Sequence, residues 1–101
     1  MDNGLKGTFA VTMVLPAWTV ENDLILEPSE GGELKGRLDT KNGDNPMVEF
    51  TRGRWNKEYF SIELSVGPGQ LLLTGKVTGD ALEGVVIIED TPDSLTGKRI
   101  S

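Results

Sequence analysis

The chain has no cysteine and no histidine. The first absence removes disulfides and thiolate chemistry. The second removes the commonest general base and the commonest transition-metal ligand. Alanine is scarce beside 13 glycines, a balance that disfavours helices. No stretch sustains apolar residues at i, i+3, i+4 and i+7, so an essentially all-β chain is expected. No run approaches the roughly 20 apolar residues of a membrane helix, and no membrane partner is expected. Basic residues number 10 against 16 acidic ones, for a formal net charge of −6, which disfavours nucleic acid and anionic membrane surfaces as partners. The opening MDNGLKG lacks a basic region followed by an apolar run. It does not read as a signal peptide, and a cytoplasmic location is expected. With no break in composition, residues 1–101 are expected to form one domain around one modest core.

What the chain does have is period-two alternation. Leu5, Gly7, Phe9, Val11, Met13 and Leu15 share one face of a first strand, which Pro16 ends. Further strands are expected at Asp23–Glu27, Glu33–Thr40, Met47–Arg52, Tyr59–Val66 and Leu95–Ile100. The stretch from Leu71 to Ile88 reads as a hairpin about Gly79-Asp80. That turn sets Val77 against Leu82, Gly75 against Gly84, Leu73 against Val86 and Leu71 against Ile88 on one face. Lys76 then meets Glu83 on the other face, and a slip of one residue would turn the charges inward.

A Leu-x-Gly phrase occurs five times, beginning at Leu5, Leu34, Leu73, Leu82 and Leu95, each time with both residues on the inner phase. Inward glycines let strands coil and approach closely, which is how a small sheet closes. About eight short strands joined by short connections therefore predict a closed or nearly closed up-and-down antiparallel β-barrel, with a β-sandwich or Greek-key barrel as the alternative.

The Gly7-Thr8-Phe9 sequence on the first strand and Arg99 on the last give the chain a pattern that resembles the calycin-like group, the lipocalin, fatty-acid-binding and streptavidin-type barrels. In those families a Gly-x-Trp motif places its tryptophan under the arginine of the last strand and closes one end. The resemblance implies the same structural closure here by Gly7, Phe9 and Arg99, with Phe9 standing where the families carry tryptophan. Gly75 and Gly84 would help the wall to close, and their pairing is also where a gap inside the barrel would fall.

Candidate sites are few. Arg52 and Arg99 are the charged residues on the inferred inner faces, and an unpaired buried guanidinium is costly. Arg52 either recognises a carboxylate with its fork or turns outward as the strand drifts at Gly53. Arg99 reads as the end-closing residue. The stretch Arg52–Tyr59 reads as a loop unusually rich in cations and aromatics. It forms either a rim for an anionic or stacking ligand or a hairpin loop whose Trp55 caps the barrel. Arg52, Arg54, Trp55 and Tyr59, with Trp18, Met13 and Phe50, are the candidate ligand-binding residues. The run Asp39 to Asn45 lacks the ligand spacing of a calcium loop and reads as an Asn-Gly turn. Asp90 to Ser94 also reads as a turn. No inner-face Asp or Glu is expected, no hydroxyl has a base beside it, and no catalytic residue, metal or cofactor is implied.

On the outer face of the Leu71–Ile88 hairpin, Leu72, Val85 and Ile87 form an apolar patch, and such patches mark interfaces. A symmetric homodimer through these strands is expected. Two functions follow: non-catalytic binding of a small apolar or anionic ligand, or a structural or protein-interaction module with a filled barrel.

Overall fold

The computed structural model describes residues 4–17, 19–40, 48–66 and 69–101. Trp18 lies outside them, as does most of the Asp39 to Asn45 stretch. The described residues contain no helix, and hence none long and apolar enough to cross a membrane. They form β1 (Gly7–Val14), β2 (Thr19–Pro28), β3 (Leu34–Thr40), β4 (Val48–Glu49), β5 (Arg52–Asn56), β6 (Tyr59–Val66), β7 (Gly69–Thr78), β8 (Ala81–Ile88) and β9 (Thr91–Arg99). All pairings are antiparallel, in the order β4-β3-β2-β1-β9-β8-β7-β6-β5.

The two edge strands of that order are consecutive in the chain, and they close the sheet. Phe50 donates its N–H to the Gly36 carbonyl on β3 at 3.1 Å, and the next residue, Thr51, donates to the Glu63 carbonyl on β6 at 2.8 Å. Farther on, Glu33 bridges Arg54, and Trp55 donates to the Gly32 carbonyl at 2.9 Å. Residues 48–56 thus act as one broken strand shared between β3 and β6, and the fold is an up-and-down barrel with eight walls. A closed sheet has no long edge of unpaired backbone to template aggregation.

The interior follows from the alternation. Among the described residues, sixteen hydrophobic side chains, including Phe9, Leu24, Ile62, Leu73, Val86 and Leu95, are 5% exposed or less. The β7–β8 register is the expected one, from Leu71↔Ile88 through Gly75↔Gly84 to Val77↔Leu82, with Lys76↔Glu83 outside. Gly79 has φ 62° and turns the hairpin, as glycine does at the first position of a type II′ turn.

Glycine is needed where the wall bends most. Gly36 has φ 151°, and a Cβ there would lie 1.9 Å from the Ile25 carbonyl oxygen and 2.9 Å from the Phe50 ring. At the Gly75–Gly84 pair a Cβ on either residue would come within 2.8 Å of the other's Cα. Backbone therefore occupies the place where a gap inside the barrel was considered. The concavity lies instead on the outer surface, a shallow depression of about 560 Å³ flanked by Tyr59, Lys76, Glu83 and Thr96.

Several expected boundaries move. The last strand begins at Thr91 and not near Leu95, because Glu89 and Asp90, with φ of 49° and 66°, complete the turn by themselves, the pattern of a type I′ hairpin. The second strand begins at Thr19 and not at Asp23, so Asn22 joins its inner face. Residues 52–56 are strand, not loop; only Lys57 and Glu58 turn, with Lys57 at φ 58°.

A test of the close approach is Gly84→Ala, whose Cβ would sit 2.1 Å from the Thr74 carbonyl oxygen. It should lower stability by about 1–3 kcal/mol in urea unfolding. Gly4→Ala, with nothing within 4 Å of its Cβ, is the control and should be near neutral. Equal midpoints for the two variants would contradict the packing described here.

Candidate functional site

The two ends of the barrel differ in chemistry. One end holds the N-terminal segment, the β2–β3, β5–β6 and β7–β8 turns and the C-terminal end of β9, where Arg99 sits. Its Cζ lies 4.6 Å from the centroid of the Phe9 ring, within cation–π range. Its Nε contacts Asp80 Oδ1 at 3.2 Å, and its terminal nitrogens donate to the carbonyls of Lys6, Gly4 and Gly79. A Cβ on Gly7 would lie 2.7 Å from Arg99 Nη1, so this position leaves room for the guanidinium. Trp55 closes the same end from the other side. It is half-buried against the core, opposite Phe60, and its Nε1–H donates to the Ser29 carbonyl at 2.9 Å.

The expected rim of cations does not form at a mouth. Val48 and Phe50 are on the inner phase, but so are Gly53 and Trp55, since Gly53 pairs with the buried Ile62. The strand gains one residue between them, and the phase flips where hydrogen bonding passes from β3 to β6. Arg52 is therefore exposed on the outside, as is Arg54. Of the two readings of Arg52, the outward turn at Gly53 is the one found, and the inner-face placement is corrected. Arg52 and Arg54 line an outer groove of about 960 Å³ along the β3–β5 seam, with Lys35 and Arg37. That groove is charge-balanced: Glu27 stands opposite Lys35, Glu49 opposite Arg37, Glu33 opposite Arg54 and, on β6, Glu63 opposite Arg52. A surface with each cation faced by a carboxylate has little net attraction for an anion.

The other candidates are scattered. Phe50 packs half-buried against the core beside Gly36. Tyr59 is 54% exposed on the outer surface opposite Lys76. Met13 is buried inside the barrel. Arg52, Arg54, Trp55, Tyr59, Met13 and Phe50 thus do not converge on one site.

The opposite end carries a group of residues that the sequence pattern did not single out. The β1–β2, β3–β4, β6–β7 and β8–β9 connections leave from this end. Leu15, Val48, Leu71 and Ile88 are half-buried here against the core. Two polar residues lie on the inner phase toward this end. Asp93 lies opposite the fully buried Val86 and is half-buried, which corrects the expectation that no inner-phase position carries a carboxylate. Asn22 is only 2% exposed and lies opposite Val11. Its Nδ2 points at the Met13 sulfur at 3.9 Å, and its Oδ1 has no hydrogen-bond partner. The signal that could have found Asn22 was its spacing: it stands two residues before Leu24 and four before Leu26, both inward.

The outer patch is half-buried. Leu72 pairs with Ile87, and Val85 sits opposite Ser94. Ser94 in turn lies opposite Val14, which is 49% exposed and extends the apolar surface onto β1.

No protein-family model matches the chain, and no curated protein matches its sequence. Among solved structures, a redesigned β-barrel is similar with a TM-score of 0.74, covering 97% of this chain and 93% of that chain at 14% identity. At that identity the likeness speaks to the barrel fold alone.

The Arg99 end yields a test. Arg99→Lys keeps the charge but loses the planar fork that reaches several acceptors at once. It should cost roughly 2 kcal/mol in urea unfolding, and Phe9→Leu should reduce that cost by removing the stacked ring. A Lys variant as stable as the parent would rule out the guanidinium as the element that holds this end.

Proposed function

We propose that this chain is a non-catalytic binding barrel that takes a small, largely apolar molecule at the end bearing Leu15, Val48, Leu71 and Ile88. The observation that carries the reading is the difference between the ends. One is plugged by Arg99, Phe9 and Trp55. The other presents half-buried aliphatic side chains, with two polar residues, Asn22 and Asp93, on the inner phase toward the same end. Apolar walls with a few placed polar atoms are the ordinary make-up of a small-molecule site. The sixteen buried core residues support a shallow site near this end over a deep cavity. Arg52 and Arg54 face outward on a balanced groove, which favours the apolar ligand over the anionic one. The end closure by Gly7, Phe9 and Arg99 also supports placing the barrel with the calycin-like group.

A second reading rests on the outer patch. Leu72, Val85 and Ile87 offer an apolar surface on neighbouring strands, with Val14 beyond Ser94 on β1, suited to a homodimer.

The two readings separate with a neutral fluorescent probe and a mass measurement. Nile red should bind saturably, and Leu71→Lys with Ile88→Lys should weaken it at least about tenfold, the cost of wetting two aliphatic contacts. An unchanged titration, or none in the parent, would end the binding reading.

Leu72→Lys with Ile87→Lys should leave Nile red binding intact while lowering the mass seen by sedimentation velocity from dimer to monomer. A mass unaffected by those two changes would remove the interface reading.

A further inference from the structure

We infer that Asn22 is a ligand-binding residue whose side-chain carbonyl accepts a hydrogen bond from an O–H or N–H carried by a neutral apolar molecule. The inference rests on the proposed binding at the Leu71–Ile88 end and names the chemistry that end selects. Asn22 occupies an inner position of β2 between half-buried Val20 and fully buried Leu24, in the half of the strand nearer the β1–β2 connection. Pattern alone would place leucine or valine there. The amide instead brings four hydrogen-bonding sites into an apolar wall. Its Nδ2 is directed to the Met13 sulfur at 3.9 Å, a weak acceptor. That contact orients the amide and leaves Oδ1 as the atom without a partner at a residue 2% exposed. Buried polar atoms are nearly always satisfied, and one that is not points to a water or a ligand.

The surroundings select among donors. Val11 across the β1–β2 pair, Leu24 below and Met13 alongside are all buried and apolar, so the body of the occupant must be apolar as well. Asp93 on the inner phase toward the same end adds a carboxylate, which disfavours an anionic head group. Neutral alcohols and amides meet both conditions; fatty-acid carboxylates meet neither the charge nor the donor requirement.

The test compares hexan-1-ol with 1-methoxypentane, which has the same heavy atoms and no donor, by NMR titration of the full chain. The alcohol should shift the Asn22 side-chain amide and the Met13 methyl resonances saturably and bind roughly tenfold more tightly than the ether, the ratio that one hydrogen bond confers. Asn22→Leu should bind the two equally. Equal affinity in the parent overturns the role of Asn22 while leaving the binding reading in place. Binding of neither probe overturns both. A long-lived water contacting Asn22 that hexan-1-ol does not displace also overturns the inference, because the carbonyl is then satisfied by solvent. The parent comparison stands whether or not Asn22→Leu folds.

Discussion

The fold depends on one handover. A sheet with β4 and β5 at its edges would expose two rows of unpaired backbone groups. The chain avoids this by giving consecutive amides, those of Phe50 and Thr51, to strands on opposite sides of the gap. The cost is a break in alternation, and the break has consequences along the seam. It turns Arg52 outward and brings Gly53 onto the inner phase. Gly53 then lies against Leu34, where a Cβ would meet the carbonyl oxygen at 2.2 Å. Gly36 accepts the Phe50 amide at a backbone angle that side chains rarely adopt. The seam is held together by glycines that leave backbone in contact with backbone, and the residues outside it are charged pairs facing solvent.

This explains which parts of the molecule could be read from residue order. The β7–β8 hairpin was legible pair by pair because Gly79-Asp80, the aliphatic alternation and the Lys76–Glu83 pair all demand one register. Barrel closure was legible through the inward glycines, since five positions without a side chain on the core face have no use in a flat sheet. The phase flip after Phe50 was not. Gly53 admits an outward turn of Arg52, but nothing in Glu-Phe-Thr-Arg-Gly decides for the extra residue. The choice depends on the gap that the chain must cross between β3 and β6, a property of the closed barrel. The same holds for the β8–β9 turn: Asp90-Thr91-Pro92 carries strong turn residues, yet Glu89 and Asp90 adopt positive φ and Pro92 stays in the strand.

The candidate site was less legible than the fold. Cationic and aromatic residues between Arg52 and Tyr59 drew attention by composition, and the structure distributes them to an outer groove, a barrel plug and an exposed surface. Trp55 shows why. A tryptophan with its Nε1 on the Ser29 carbonyl and its ring against the core is satisfied by the fold itself, and so gives no independent evidence of a ligand. Asn22 is the reverse case. As a residue it is unremarked in a chain with other asparagines, and only its burial and its unpartnered oxygen set it apart.

The two ends also differ in how completely their polar groups are satisfied within the chain. At the Arg99 end, one guanidinium joins the N-terminal segment, the β7–β8 turn and β9, so substitutions there act first on folding. At the other end the Oδ1 of Asn22 lacks a hydrogen-bond partner, and Leu15, Val48, Leu71 and Ile88 are only half-buried. An unsatisfied buried carbonyl costs about 1–3 kcal/mol, and a leucine in its place would fill a comparable volume without that cost. Parts of a protein that work against its own stability tend to be those that meet something else. On that ground the informative contrast is between residues such as Arg99, whose interactions are complete within the chain, and Asn22, whose interactions are not.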